Sequence, residues 1–233
     1  MPDTAITVGF LLFDGFPMAC LTSAIKPLRA ANEIIGRREF GWHLFGETGT
    51  LIRSSADVRF DPDVTLAQVF GLDSLFLLSA LGSPFLDPRG TPARLRWLAR
   101  RGLTLGAFSG GLFPLCRAGL MQGHRASVHW CYDAAFGTDF PAIATSGTVI
   151  TRDRRRLTAA GAGAVSDLML KLTGDRLGAA VMTEVACRFQ HPTIRDEAVP
   201  QKKPRCRAPT APPTCCPPGS ATPSACSPTI SKT

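Results

Sequence analysis

Residues Ile6 to Phe13, ITVGFLLF, are apolar without alternation. A run of that length fits a strand buried on both faces, as in a parallel sheet. From Met18 to Ile35 the apolar positions change to helical spacing. Leu21, Ala24, Ile25, Leu28, Ala31 and Ile35 share one stripe, which predicts an amphipathic helix with a kink at Pro27. Trp42–Phe45, Leu75–Leu78 and Leu103–Phe108 read as further strands. Leu51–Ile52 with Val58–Phe60 suggests an edge hairpin. Helices are predicted over Pro92–Arg101, Gly110–Leu120, Val165–Leu172 and Gly178–Phe189. A second hairpin is expected from Val149–Ile150 to Leu157–Thr158. Strands and helices therefore alternate along residues 1–199. That order predicts an α/β fold, a doubly wound, mostly parallel sheet with helices on both faces. Ligands of such sheets bind beyond the carboxyl ends of the strands, which directs attention to the turn after Phe108.

The last 32 residues break this pattern. Residues 202–233 hold eight prolines, four cysteines, no aromatic residue and no acid. Such a segment has little to bury and is expected to be disordered. The chain thus divides into a domain over residues 1–201 and a Pro/Cys-rich tail over 202–233. The change at Lys202 is abrupt and suggests a shifted reading frame. A natural Pro-rich linker is the alternative, against which four cysteines count.

Charge adds one restriction. The net charge is +8, but five basic residues lie in the tail (Lys202, Lys203, Arg205, Arg207, Lys232), which leaves +3 for residues 1–201. The domain as a whole is not a basic footprint for DNA. Its one dense run is Arg152, Arg154, Arg155 and Arg156, interrupted by Asp153. The run falls at a predicted turn and reads as solvated more readily than as a phosphate site. No apolar run reaches the roughly 18–20 residues of a membrane span. The N-terminus lacks the basic region and cleavage site of an export signal. A cytoplasmic protein without a membrane partner is expected.

Cys20, Cys116, Cys131 and Cys187 show no CxxC spacing. Neither a zinc site nor a redox pair follows, so no metal and no cofactor is expected. The informative segment is LTLGAFSGGLFPLCRAGL, Leu103 to Leu120. A buried strand runs into Ser109, then Gly110 and Gly111, then a helix. This is the layout of a nucleophile elbow, although Ala107 stands where the G-x-S-x-G motif begins. An ordinary strand–helix turn remains an equal reading of the bare pattern. His129 and Trp130 follow in ASVHW, and their spacing alone defines no triad.

Four segments resemble one family, the GlxA-type regulators, AraC-family activators with an amidase-like sensor. They are TSAIKPLRAAN (Thr22 to Asn32), LGAFSGGLFPLCRAGLMQGHRASVHW (Leu105 to Trp130), RDRRRLTAAGAGAVSDLMLKL (Arg152 to Leu172) and HPTIRDEAVPQ (His191 to Gln201). The resemblance covers nearly all of residues 5–201. It implies a ThiJ/PfpI sensor, with the flavodoxin-like sandwich of the class I glutamine amidotransferase-like superfamily. It also implies transcription control in response to an amino acid or a quaternary amine such as betaine or carnitine, and a homodimer. DNA contact would need a helix-turn-helix, which no segment of this chain resembles.

The superfamily's enzymes carry a cysteine at the elbow, where this chain has Ser109. The peptidase branch follows it with His, where Gly110 stands. A carboxylate expected near the first helix is matched by Cys20. Only the histidine position is kept, as His129. A serine nucleophile needs a base and an orienting acid, and no acid is identifiable. The chain is therefore read as non-catalytic, with Ser109, Gly110, Gly111, His129 and Trp130 as ligand-binding residues. A carboxylate is expected at the Gly110 and Gly111 amides, and an ammonium group at Trp130. The alternative is a serine-dependent amidase using Ser109.

Overall fold

The structure is a computed structural model that describes residues 5–203. The tail expectation, from residue 204 onward, lies outside the described residues. The strands are β1 (Ile6–Leu12), β2 (Phe40–Gly46), β3 (Ile52–Arg53), β4 (Arg59–Phe60), β5 (Val64–Thr65), β6 (Ser74–Ser79), β7 (Thr104–Ser109), β8 (Arg125–Ala126), β9 (Ala144–Thr145), β10 (Ile150–Asp153) and β11 (Arg156–Ala159). The α-helices are α1 (Met18–Ile35), α2 (Gly90–Arg100), α3 (Leu112–Arg117), α4 (Asp133–Asp139), α5 (Ala162–Leu177) and α6 (Ala179–Arg188).

Seven strands form one sheet in the order β10-β11-β7-β6-β1-β2-β5. Every pairing in it is parallel except that of β10 with β11. The inner order β2-β1-β6-β7-β11 is the flavodoxin-like doubly wound arrangement. The apolar runs are continuous because both faces are covered. Phe10, Phe76, Leu78 and Phe108 point to the side packed by α1, α5 and α6. Leu11, Leu75, Leu77 and Leu105 point to the side packed by α2, α3 and α4. Three phenylalanines tie the central strands, with ring centroids 6.1 Å apart for Phe10 and Phe76 and 4.6 Å for Phe76 and Phe108.

Helix α1 covers the predicted Met18–Ile35, with Pro27 buried inside it. Other elements differ from the sequence expectation. Helix α3 is six residues long and ends at Arg117, because Gly119 turns to φ 73°. Short elements β5, β8, β9 and α4 had no strong periodicity to announce them. The two expected hairpins are present as β3–β4 and β10–β11, the latter turning at Arg154 with φ 54°.

Candidate functional site

Strand β7 delivers Ser109 to the carboxyl end of the sheet. Its φ is 53°, in the left-handed region that costs a non-glycine residue roughly 1–3 kcal/mol. The two glycines that follow let the turn press against β6. A Cβ on Gly110 would stand 2.3 Å from the Ser79 carbonyl oxygen, and one on Gly111 1.9 Å from that of Leu77. This is an elbow and not an ordinary strand–helix turn. The half-buried Ser109 hydroxyl makes no hydrogen bond among the described residues. The expected role of Gly111 is corrected by its partner. Its N–H donates to the Phe108 carbonyl at 3.0 Å, so that amide closes the turn and is not offered to an anion. Helix α3, at under two turns, also has little dipole to offer.

His129 lies one strand over, against the start of α5. A Cβ on Gly161 would stand 3.3 Å from its Cδ2. The Cys131 N–H donates to His129 Nδ1 at 3.3 Å, and Cys131 Sγ is 2.8 Å from the same nitrogen. An accepting Nδ1 leaves the proton of the neutral ring on Nε2. Burial pushes the pKa of His129 below its ordinary value, with Asp133 acting in the opposite direction. The ring is therefore a neutral donor at its outer nitrogen, which is the wrong form for taking a proton from a serine there.

Trp130 packs beside His129, with ring centroids 5.5 Å apart. Together they line a cavity of about 370 Å³ at the carboxyl end of β11. Its other walls are the start of α5 (Gly161 to Ala164) and a strap, residues 191–202, that supplies Arg195 and Gln201. Ser109, Gly110 and Gly111 are not among its lining residues. They sit at the neighbouring strand end, since β7 and β11 pair with Phe108 opposite Ala159. A larger cavity, of about 550 Å³, lies at the opposite end of the sheet beside Trp97 and Arg101, away from the elbow.

Sequence reasoning missed what holds the strap. Asp167 on α5 is fully buried, and its carboxylate takes His191 Nε2 at 2.7 Å and Arg195 Nε at 2.6 Å. Gln201 Oε1 accepts from the Trp130 N–H at 2.9 Å, and its amide nitrogen donates to Val128 and Thr148 carbonyls at 2.5 and 2.9 Å. Val149 donates to the Val199 carbonyl at 2.9 Å. A buried Asp in the middle of an apolar helix is the signal that could have revealed this network.

Cys20, in the first turn of α1, is 2% exposed within the core. Burial pushes its thiol up to about 12. It is neither a carboxylate substitute nor a thiolate at neutral pH.

A strained elbow at the carboxyl end of a flavodoxin-like sheet places this molecule in the ThiJ/PfpI class of folds. A ThiJ/PfpI protein from Pseudomonas syringae superposes with a TM-score of 0.65 over 82% of this chain and 76% of that one, at 19% identity. In sequence the chain is similar to HTH-type transcriptional regulators. The regulator GbdR of Pseudomonas aeruginosa is 34% identical over 198 residues, 85% of this chain and 54% of GbdR. GlxA of Rhizobium meliloti is 27% identical over 197 residues, 84% of this chain and 60% of GlxA. An AraC family regulator structure from Pseudomonas putida matches with TM-score 0.71 and 26% identity, over 79% of this chain and 99% of that one. The chain spans about half the length of the curated regulators it matches. More distant is an enzyme, an isonitrile hydratase of Pseudomonas putida, 27% identical over 175 residues, 75% of this chain and 73% of the enzyme. No protein-family model matches. No helix among the described residues is long and apolar enough to cross a membrane.

Proposed function

We propose that residues 1–201 are the ligand-sensing domain of an AraC-type transcription regulator, without catalysis of their own, and that residues 202–233 stand outside this domain. The observation that carries this is the cavity beside His129 and Trp130. Its chemistry fits a small zwitterion. The start of α5 has no side-chain cap, so its first N–H groups can donate to a carboxylate, with Arg195 at the same wall. The Trp130 indole faces a cationic nitrogen, an attraction of about 0.5–2 kcal/mol. The adjoining elbow contributes the Ser109 hydroxyl, while Gly110 and Gly111 give the turn its shape. Amino acids and quaternary amines such as betaine and carnitine are the ligands of this description. The domain is proposed to act in the cytoplasm as a homodimer, and to read DNA sequence only through a separate helix-turn-helix.

A thermal-shift panel of arginine, glycine betaine, carnitine and propionate tests the ligand. At about 100 times its dissociation constant a ligand stabilises by roughly 2.7 kcal/mol, on the order of 5–10 °C here. A zwitterion should give that shift and propionate should not. A flat panel on folded protein contradicts the proposal.

The second reading, a serine amidase, is favoured by the strained Ser109 elbow. The neutral, Nε2-protonated His129 argues against it. A fluorophosphonate probe with peptide mapping separates the two, since stoichiometric labelling of Ser109 requires an activated hydroxyl.

A further inference from the structure

The end of the sheet opposite the crevice carries a feature that ligand sensing does not use. From Pro88 to Tyr132 the chain holds seven arginines and not one Asp or Glu. The fold brings part of this stretch against the arginine run of the β10–β11 hairpin. Arg155 Nη1 donates to the Gly102 carbonyl, directly after Arg100 and Arg101 at the end of α2. The loop after α3 gathers three more arginines on its carbonyls. Ala118 takes Arg96 Nη1 at 3.2 Å, Leu120 takes Arg156 Nε at 2.8 Å, and Gly123 takes Arg154 Nη2 at 2.6 Å. Arg125 is exposed beside them.

Bonds to carbonyls position a guanidinium without cancelling its charge. Of Arg96, Arg100, Arg101, Arg125, Arg154, Arg155 and Arg156, only Arg154 forms an ion pair with a carboxylate, that of Asp153, among the described residues. Crowding of like charge is visible in the neighbours. Burial first, then Arg154, lowers the pKa of Arg156, and burial, Arg154 and Arg156 lower that of His124. Arg96, Arg100, Arg101, Arg125, Arg154 and Arg155 are all exposed.

We propose that this face, formed by the end of α2, the loop after α3 and the β10–β11 turn, docks on the sugar–phosphate backbone of duplex DNA. The complementary charge is there, with positions fixed by carbonyl anchors, and the regulators this chain resembles are helix-turn-helix proteins. Such contact positions a protein without reading sequence. A single strand is the poorer partner, since it needs open aromatic platforms. Trp97 is already engaged, with Arg94 and Arg101 guanidinium carbons 4.3 and 4.9 Å from its ring centroid. The proposal does not depend on the identity of the ligand or on catalysis.

The test is fluorescence anisotropy of the full chain on a labelled duplex of arbitrary sequence, from about 50 to 200 mM salt. The tail's five basic residues are common to every variant. R100E/R101E/R155E should bind at least about tenfold more weakly at the lowest salt, with a salt slope shallower by about 2–3. K26E/R38E/R59E, an equal charge change at exposed sites outside the face, should lose clearly less. The double variant R100Q/R101Q removes no hydrogen bond and guards against misfolding, and it should lose an intermediate amount. The proposal is overturned if the wild-type chain does not bind, or if both triple variants weaken equally. It is also overturned if R100Q/R101Q binds like wild type, or if single-stranded RNA binds more tightly than the duplex.

Discussion

The Trp130 backbone N–H donates to the Gln201 side chain at 2.9 Å, joining residues 71 positions apart. Through this bond the strap that closes the crevice is held by the residue assigned to the ligand. Gln201 also donates to two carbonyls. Replacing it with Ala strands three partners, each net bond being worth about 0.5–1.5 kcal/mol. Gln201→Ala should lower stability by about 2 kcal/mol in urea unfolding. It should also speed amide exchange at Trp130 and Val149, while β1 and β6 stay protected. Unchanged exchange at those two amides would show that the strap is held by other means.

Asp167 is the second anchor. Its carboxylate is fully buried, whereas Arg195 is about a third exposed on its side chain. Removing the charge leaves Arg195 and His191 without their acceptor. Breaking a buried pair by deleting one partner costs up to about 3–5 kcal/mol, and the exposure of Arg195 moves the estimate to the lower end. Asp167→Ala should destabilise by about 3 kcal/mol, while Lys171→Ala, whose partner Asp196 is exposed, should cost under about 1 kcal/mol. Paired chemical denaturation curves decide this, and equal losses would refute it.

Two buried thiols give a pH signature. Cys20 and Cys116 are both pushed up from the ordinary thiol value to about 12, chiefly by burial. The folded protein keeps these protons where the unfolded chain loses them. Their stabilisation is present below pH 9 and is lost as pH rises from there towards 12. The slope is at most about 1.4 kcal/mol per pH unit for each thiol. Urea midpoints between pH 8 and 10.5 should fall less steeply in Cys20→Ala than in wild type. Parallel curves would contradict the shift. Exposed Cys187 should alkylate in the native state while Cys20 stays protected.

The elbow predicts opposite effects at adjacent positions. Ser109→Gly relieves a positive φ and should stabilise, by up to about 1 kcal/mol. Gly111→Ala drives a Cβ into the Leu77 carbonyl and should cost about 3 kcal/mol or more. A neutral Gly111→Ala would show that β6 and the turn can separate.

The strands β1, β6 and β7 were legible because burial on both faces leaves an apolar run that nothing else on the chain imitates. The elbow was half legible. Ser-Gly-Gly after a strand gave its place, but the positive φ and the approach to β6 belong to three dimensions. Sequence alone offers the Gly111 amide to a ligand, because it does not show that the Phe108 carbonyl already takes that N–H. Strands β8 and β9 are two residues each, too short for a period to register. The strap was out of reach for another reason. HPTIRDEAVPQ has no periodicity, and its order comes from Asp167, Val149 and Trp130, which are remote in sequence.

The central claim is that the crevice beside Trp130 binds the ligand, with the elbow at its margin. Isothermal titration of the strongest zwitterion from the panel into wild type, Trp130→Leu and Ser109→Ala tests it most directly. Loss of a desolvated cation–π contact of about 2 kcal/mol predicts roughly 30-fold weaker binding to Trp130→Leu. Loss of one net hydrogen bond of about 1 kcal/mol predicts roughly fivefold weaker binding to Ser109→Ala. Undiminished binding to folded Trp130→Leu, with binding abolished in Ser109→Ala, would place the ligand at the elbow and contradict the account.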